Sequence, residues 1–241
     1  MVNQVAIEIE NLSKRYGYAY ALRDVTLNIL RGEVLVFLGP NGSGKTTLLK
    51  VLATLTSLTS GNVKVFGLAL KENGREIRQM IGYLAHEPLL YKDLTGEENI
   101  RFYSKFYQLS SQEHFQEKLD SAFKFLKITR WRHEPIKNLS KGLKKRFDLV
   151  RAIIHDPKIL LLDEPFSGLD ILSVNILKDF IREERGNKTT IISTHDIDLA
   201  KSLCDRGAIL VEGKMRQVLK SQDMTDTSVK EVFERSVQKE N

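Results

Sequence analysis

The nine residues Gly39-Pro40-Asn41-Gly42-Ser43-Gly44-Lys45-Thr46-Thr47 constrain this chain more than any other stretch. Before them runs Val34-Leu35-Val36-Phe37-Leu38, an apolar segment of buried-strand length. After them Lys45 to Leu52 carries apolar residues at helical spacing. A strand that turns through glycines into a helix aims successive backbone N–H groups, and the positive end of the helix dipole, at one point. An anion belongs there. The residues follow the G-x-x-x-x-G-K-[ST] pattern of phosphate-binding loops, in which Lys45 reaches the terminal phosphates and the Thr46 hydroxyl can ligate Mg²⁺.

Such a loop needs a sheet behind it, and the chain supplies the strands. Val5–Ile9, Ala21–Ile29, Gly61–Gly67, Ile81–Leu84, Thr189–Thr194 and Ala208–Val211 all read as extended segments. Ile159-Leu160-Leu161-Leu162 is a continuous apolar run, the pattern of a central parallel strand covered on both faces. Strands alternating with helices around a phosphate loop predict an α/β domain with a mostly parallel sheet. From Thr95 to about Lys127 the pattern is helical. Ile100, Phe102, Tyr103 and Phe106 mark one helix, and Phe115, Leu119, Ala122, Phe123 and Leu126 a second. This aromatic-rich stripe reads as helical core. A short charged helix is expected from Ser228 to Lys239.

With 241 residues, 41% of them hydrophobic and 28% charged, the chain can bury a substantial core. No apolar stretch approaches the roughly 20 residues needed to span a bilayer, and the N-terminus lacks a signal-peptide core. The expectation is a cytoplasmic protein that reaches a membrane only through a partner. The lone Cys204 excludes an internal disulfide and a cysteine metal cluster, and reads as a small buried residue. A net charge of +6 is compatible with nucleic acid, but no basic tract interleaved with aromatics appears. Direct nucleic-acid binding is therefore not expected. The densest basic cluster, Lys141, Lys144, Lys145 and Arg146, reads as a solvated face.

Binding a nucleotide is not hydrolysing it. Hydrolysis needs a held metal and a water aligned on the γ-phosphorus. Asp163-Glu164-Pro165 ends the apolar run, at the crevice where α/β sheets bind ligands. Asp163 is assigned to Mg²⁺, directly or through its water shell, and Glu164 to polarising the attacking water. Two adjacent acids would repel each other without a cation, which also favours a metal site.

These residues, with Ser167-Gly168-Leu169-Asp170 and Thr194-His195-Asp196, resemble the ABC ATPase cassette. The resemblance extends from Lys14-Arg15-Tyr16-Gly17 to about Gly213. It implies ATP and Mg²⁺ as cofactors and a RecA-like core joined to an antiparallel β-subdomain, with an inserted helical subdomain. On this sequence the core and β-subdomain take residues 1–90 and 156–220, the helical subdomain 91–155, and a helical tail 221–241. The resemblance further implies that Tyr16 stacks on adenine and that His195 contacts the γ-phosphate. Asp170 would lie in the loop that communicates across a dimer. Leu139-Ser140-Lys141-Gly142-Leu143 stands where the family has Leu-Ser-Gly-Gly-Gln. Ser140 and Gly142, the pair that approaches the partner's γ-phosphate, are retained. Lys141 replaces a glycine and Leu143 a glutamine. Tyr83-Leu84-Ala85-His86-Glu87-Pro88 carries His86 where the family places a metal-side glutamine. His86 either substitutes for that glutamine or is a surface loop histidine.

The resemblance implies an ATP-hydrolysing subunit that closes head to tail on a second copy or a homologous cassette and drives integral membrane permease subunits. The protein would then sit at the inner face of the cell membrane. An ABC-type ATPase acting on nucleic acid or the ribosome is the alternative, although coiled-coil arms, zinc modules and a second cassette are all missing from the sequence. A third reading, a regulator without turnover, is disfavoured by Glu164. The stretch from His86 to Tyr103 is similar to the haem exporters of cytochrome c maturation and to multidrug and lipid exporters. Export is expected over import because no extra regulatory domain follows Gly213.

Overall fold

The computed structural model describes residues 4–109, 114–225, 227, 229, 231 and 232. The helix expected from Ser228 to Lys239 falls largely outside the described residues. The chain opens with two long antiparallel strands, β1 (Val5–Tyr16) and β2 (Ala19–Leu30). Strand β3 (Val34–Leu38) then feeds the phosphate loop and helix α1 (Lys45–Leu52). Strands β4 (Ser60–Val65) and β5 (Leu68–Ala69) return to β1, making an antiparallel sheet in the order β2-β1-β4-β5. Helix α2 (Gly74–Met80) leads into β6 (Ile81–Leu84). Three longer helices follow: α3 (Gly96–Ser104), α4 (Phe115–Phe125) and α5 (Lys141–Ile153). The chain then returns through β7 (Ile159–Asp163), α6 (Ile171–Glu183), β8 (Thr189–Thr194), α7 (Ile197–Leu203), β9 (Arg206–Val211) and β10 (Lys214–Lys220).

The second sheet has the order β10-β9-β3-β8-β7-β6, parallel throughout except for β10. Its central strands are apolar on both faces because each face has its own core. Val34, Val36 and Leu38 of β3 and Leu160 and Leu162 of β7 join the core made with the helices α3 to α7. Leu35 and Phe37, with Ile159 and Leu161, join the core made with α1 and the antiparallel sheet. A period of two along each strand thus sorts its side chains between two cores, and a one-residue slip would exchange them. This is why the apolar runs show no alternation in sequence.

Helix α3 starts at Thr95 with a capping box: the Glu98 N–H donates to Thr95 Oγ1 at 3.2 Å and the Thr95 N–H to Glu98 Oε2 at 2.8 Å. On α4, Phe115, Leu119 and Phe123 recur every four residues and are buried, as the helical pattern requires. The aromatic stripe as a whole is not core, however. Ile100 is buried, but Phe106 is 69% exposed and stands in an outward-facing group with Tyr91, Phe102 and Tyr103.

The basic cluster also departs from expectation. Lys141 is exposed, but Lys145 is only 4% and Arg146 only 8% exposed. Arg146 turns inward to donate to the Leu126 carbonyl at the end of α4, and Lys145 turns toward the loop after β6. A lysine or arginine goes under cover when carbonyls left over at helix ends and in loops receive its protons. Cys204 is buried, as expected, and burial pushes its thiol up to about 11.

Candidate active site

The phosphate loop connects β3 to α1, with Gly44 as the helix N-cap at φ 105. That conformation suits glycine, and space forbids anything larger: a Cβ on Gly44 would stand 2.6 Å from the Ala21 carbonyl oxygen. The loop floors an open cleft of about 370 Å³, walled by Asn41 to Thr47 together with Ala21, His86 and Glu164. Gly39 and Pro40 contribute differently. Their carbonyls accept hydrogen bonds from the Lys45 ammonium at 2.7 and 3.0 Å, which pins it within the loop. Burial lowers the pKa of Lys45, against the pull of the Glu164 and Asp163 carboxylates.

Sheet order brings the acids to this loop. Strand β8 lies between β3 and β7, so Asp163 at the end of β7 sits opposite Ser193 and within reach of α1. Thr46 Oγ1 donates to Asp163 Oδ1 at 2.9 Å, and Ser193 Oγ donates to the same oxygen at 2.7 Å. Asp163 Oδ2 is buried and, among the described residues, has no hydrogen-bond partner. An unpartnered buried carboxylate oxygen is costly, on the order of 1–3 kcal/mol or more, unless a cation or its water fills the place. The Thr46–Asp163 pair therefore fits a hard cation such as Mg²⁺, which binds through one or two protein oxygens plus water and phosphate.

Glu164 follows at φ 44, an unusual backbone for a residue with a side chain, held where its N–H donates to Ser193 Oγ at 2.9 Å. The turn aims its carboxylate over the loop. Glu164 Oε1 lies 3.9 Å from Lys45 Nζ and 3.4 Å from His195 Nδ1, bringing together the three residues expected to act on the phosphate. His195 stands just past β8, more than half exposed at the cleft mouth.

Tyr16 closes β1 with an exposed ring and the Lys14 ammonium 4.9 Å from its centre; it does not wall the cleft. His86 does, but among the described residues no hydrogen bond or ion pair ties it to Thr46 or Asp163. Its ring Nε2 lies 3.9 Å from the Glu87 carboxylate. Ser140 and Gly142 lie apart from the cleft at the start of α5, where Ser140 Oγ accepts the Leu143 N–H at 3.3 Å. Gly142 packs so closely on α6 that a Cβ would lie 2.7 Å from Asp170 Oδ2 and 2.5 Å from Ser173 Oγ. Asp170 caps α6 through the Ser173 N–H at 2.8 Å, which holds its carboxyl below the usual range. The stem of Lys141 lies across Gly168 in the same loop.

Sequence reasoning missed Ser193, which joins Asp163 to the Glu164 backbone. Its signal was a polar residue at the end of a covered strand, just before Thr194-His195. Ala21 was missed as a cleft wall and carries no signal.

Residues 22–167 match the family model described as ABC transporter. An uncharacterised ABC transporter ATP-binding protein of Methanocaldococcus jannaschii is 36% identical over 90% of this chain and 79% of its own length. The ABC transporter ATP-binding protein NatA of Bacillus subtilis is 34% identical over 86% and 87%. The Nod factor export ATP-binding protein I of Rhizobium johnstonii is 33% identical over 88% and 68%. A solved ATP-binding subunit of an ABC transporter superposes with TM-score 0.86 at 28% identity, covering 96% of this chain and 99% of that one. A dimeric ATP-binding cassette in a post-hydrolysis state, bound to ADP and Pi, superposes with TM-score 0.81 at 27% identity, covering 89% of this chain and 98% of that one. The two sheets and the helices between β6 and β7 are those of the ABC ATPase fold. The chain belongs to the ABC transporter family, as an ATP-binding cassette that hydrolyses ATP.

Proposed function

We propose that this ATPase closes head to tail on a second cassette and thereby drives an exporter whose permease is a separate membrane subunit. One observation carries the reading. Glu164, His195 and Lys45 converge over the phosphate loop, while Ser140 and Gly142 lie off that cleft at the tip of α5. A site so divided is completed when the Ser140 of another copy reaches the nucleotide. The dimeric cassette among the similar structures supports this arrangement, and the relative described as an export protein supports the direction.

In this reading Tyr16 stacks on the adenine, and Gly39 to Thr47 wrap the phosphates with backbone N–H groups. Lys45 leaves its two carbonyls for the β- and γ-phosphates. Thr46 and Asp163 would hold Mg²⁺, which would neutralise charge building on the phosphate oxygens. Glu164 accepts the proton of the attacking water, and His195, already beside its carboxylate, steadies the γ-phosphate. Asp170 lies at the contact between cassettes. The core and β-subdomain span residues 1–90 and 156–220, and residues 91–155 form the subdomain that moves. Once water is polarised and the γ-phosphate released, the two copies have less to share and open.

Among the described residues no helix is long and apolar enough to cross a membrane. Between the helical insertion and the loop after β6 lies a cavity of about 130 Å³, lined by Leu55, Tyr83, Leu89, Tyr107, Arg151 and His155. Tyr91 and Phe106 stand exposed on the aromatic group beside it. Contiguous exposed aromatics suit an amphipathic helix offered by a membrane subunit. That contact would hold the chain at the inner face of the membrane. The pair of changes Tyr91→Glu and Phe106→Glu should abolish co-purification with the membrane subunit while leaving ATP binding by the isolated chain unchanged. Stimulation of the ATPase by DNA or ribosomes, with no membrane protein captured, would overturn the transport reading.

A further inference from the structure

The loop after β6 carries His86 on the cleft wall, yet its attachments run away from the core. Tyr83 and Leu84 still pair with β7, but from residue 85 to residue 91 the strand pairing has ended. Among the described residues, the hydrogen bonds to this stretch of backbone come from side chains on α3 and α5. Lys145 Nζ donates to the Ala85 carbonyl at 2.7 Å and the His86 carbonyl at 2.9 Å. The Leu89 N–H donates to Asp148 Oδ1 at 3.2 Å, and the Tyr103 hydroxyl to the Leu89 carbonyl at 2.8 Å. Asn99 closes the far end, accepting the Tyr91 N–H at 2.8 Å and donating to the Tyr91 carbonyl at 3.0 Å. Arg151 adds a bond to the Tyr83 carbonyl at 2.7 Å while its Nε holds Asp148 at 2.6 Å. Lys145, Asp148 and Arg151 are spaced three apart, so one face of α5 reads the backbone of this segment from residue 83 to residue 89.

The same helix begins at Ser140. Lys145 lies little more than one turn further along, and Lys145 alone of this set bonds the backbone of His86 itself. Its ammonium is buried, so the two carbonyls replace the water it has lost, and charge-assisted bonds of this kind are strong. A neutral apolar side chain of the same length would leave both carbonyls unpaired. We infer that Lys145 is a positioning residue for hydrolysis: it makes the His86 wall of the cleft move with the Ser140 end of α5. The inference rests on the division of the site between two cassettes. When Ser140 engages the partner's nucleotide and α5 shifts, the His86 carbonyl follows Lys145, and the wall closes on the nucleotide bound by this chain.

The test uses the full chain with Lys145→Met, and Lys145→Gln as a second variant, uncharged and shorter but with two amide N–H donors, should the apolar side chain not be tolerated. Lys145→Met should lower kcat about tenfold at unchanged KM for ATP, with Lys145→Arg recovering to within about threefold, since it restores a cation with several donors. The distinguishing readout is the His86 ring resonance, identified by its loss in His86→Ala. In a Glu164→Gln background ATP should shift this resonance, and Lys145→Met should remove the shift while the ATP-trapped dimer still forms by gel filtration. An unchanged kcat, or a His86 shift that survives in Lys145→Met and Lys145→Gln, overturns the inference. Absence of an ATP-trapped dimer in the Glu164→Gln protein itself overturns the underlying two-cassette reading instead.

Discussion

Around Asp163, beside the phosphate loop, side chains bond to side chains between α1 and the neighbouring strands β7 and β8; around the His86 loop, side chains bond to a backbone that, among the described residues, has no strand partner. In the first region Thr46, Asp163 and Ser193 share one carboxylate oxygen, and the sheet beneath them sets every distance. In the second, Lys145, Asp148, Asn99 and Tyr103 reach the loop from helices that pack on one side of the sheet only. The sheet region is suited to hold a charge constellation still, because moving one group would require sliding paired strands. The helix region is suited to carry the loop with it, because past residue 84 the hydrogen bonds to the loop backbone among the described residues come from that region, while Arg151 and His155 tie it to β6 through the Tyr83 and Ile81 carbonyls. In the proposed cycle, chemistry would fall to the first region and movement to the second, each suited to its part by the hydrogen bonds it uses.

The largest expected effect breaks the rigid side of this comparison. Glu164→Gln keeps the side chain's size and removes its basicity, so kcat should fall roughly 10²–10⁴-fold with ATP binding retained. Single-turnover hydrolysis against equilibrium nucleotide binding measures both. Hydrolysis at the wild-type rate would remove Glu164 from its role and leave the acid beside His195 without one.

The next effect sharpens the helical side through His155. This residue follows α5, contacts the Ile81 carbonyl through Nε2 at 3.1 Å and stacks on Tyr107 at 3.9 Å. Burial, reinforced by Lys118 and Arg151 and opposed by the Ile81 carbonyl and Asp156, pulls its pKa down from 6.5 to about 4. The folded chain therefore keeps His155 neutral where the unfolded chain takes up a proton. Stability should fall as pH drops from about 6.5 toward 4 and be unaffected by this group above that window. The full cost is on the order of 3 kcal/mol. Denaturant unfolding of His155→Gln between pH 4 and 7 should give a flatter profile than wild type, the two differing in slope only below about pH 6.5. Parallel profiles would mean that the imidazole is not buried neutral.

The smallest effect concerns how the helical unit is built from local signals. Thr95→Ala removes one half of the capping box on α3 and should cost about 1 kcal/mol in unfolding free energy, with no change in ATP affinity. A change in ATP affinity would show that the helical unit is not as separate from the phosphate loop as its hydrogen bonds indicate.

How much was legible follows the same division. The phosphate loop could be read directly, because a row of backbone N–H groups requires consecutive residues and a helix start. Asp163 and Glu164 could be placed because a covered parallel strand announces itself by its apolar run, and its end is the crevice. Helices α2, α6 and α7 and strand β10 were not singled out, being short or carrying mixed faces. Lys145 and Arg146 were read as a solvated face, since charge in sequence says nothing about which carbonyls are waiting nearby. Phe102, Tyr103 and Phe106 were read as core because a helical period does not say which side of the helix lacks a neighbour.

By itself the sequence determined the nucleotide loop and the two acids, which depend on residues adjacent in the chain, where local geometry suffices. His195 and the helix start at Ser140 were singled out by the resemblance to the ABC ATPase cassette, not by local geometry. Only the tertiary structure decided that β8 lies between β3 and β7, which puts Ser193 against Asp163 and His195 against Glu164. Only it decided that Lys145 turns inward to hold His86. Strand order and helix packing join residues tens of positions apart, and those choices are made by filling two cores at once, one on each face of the sheet, rather than by any local pattern.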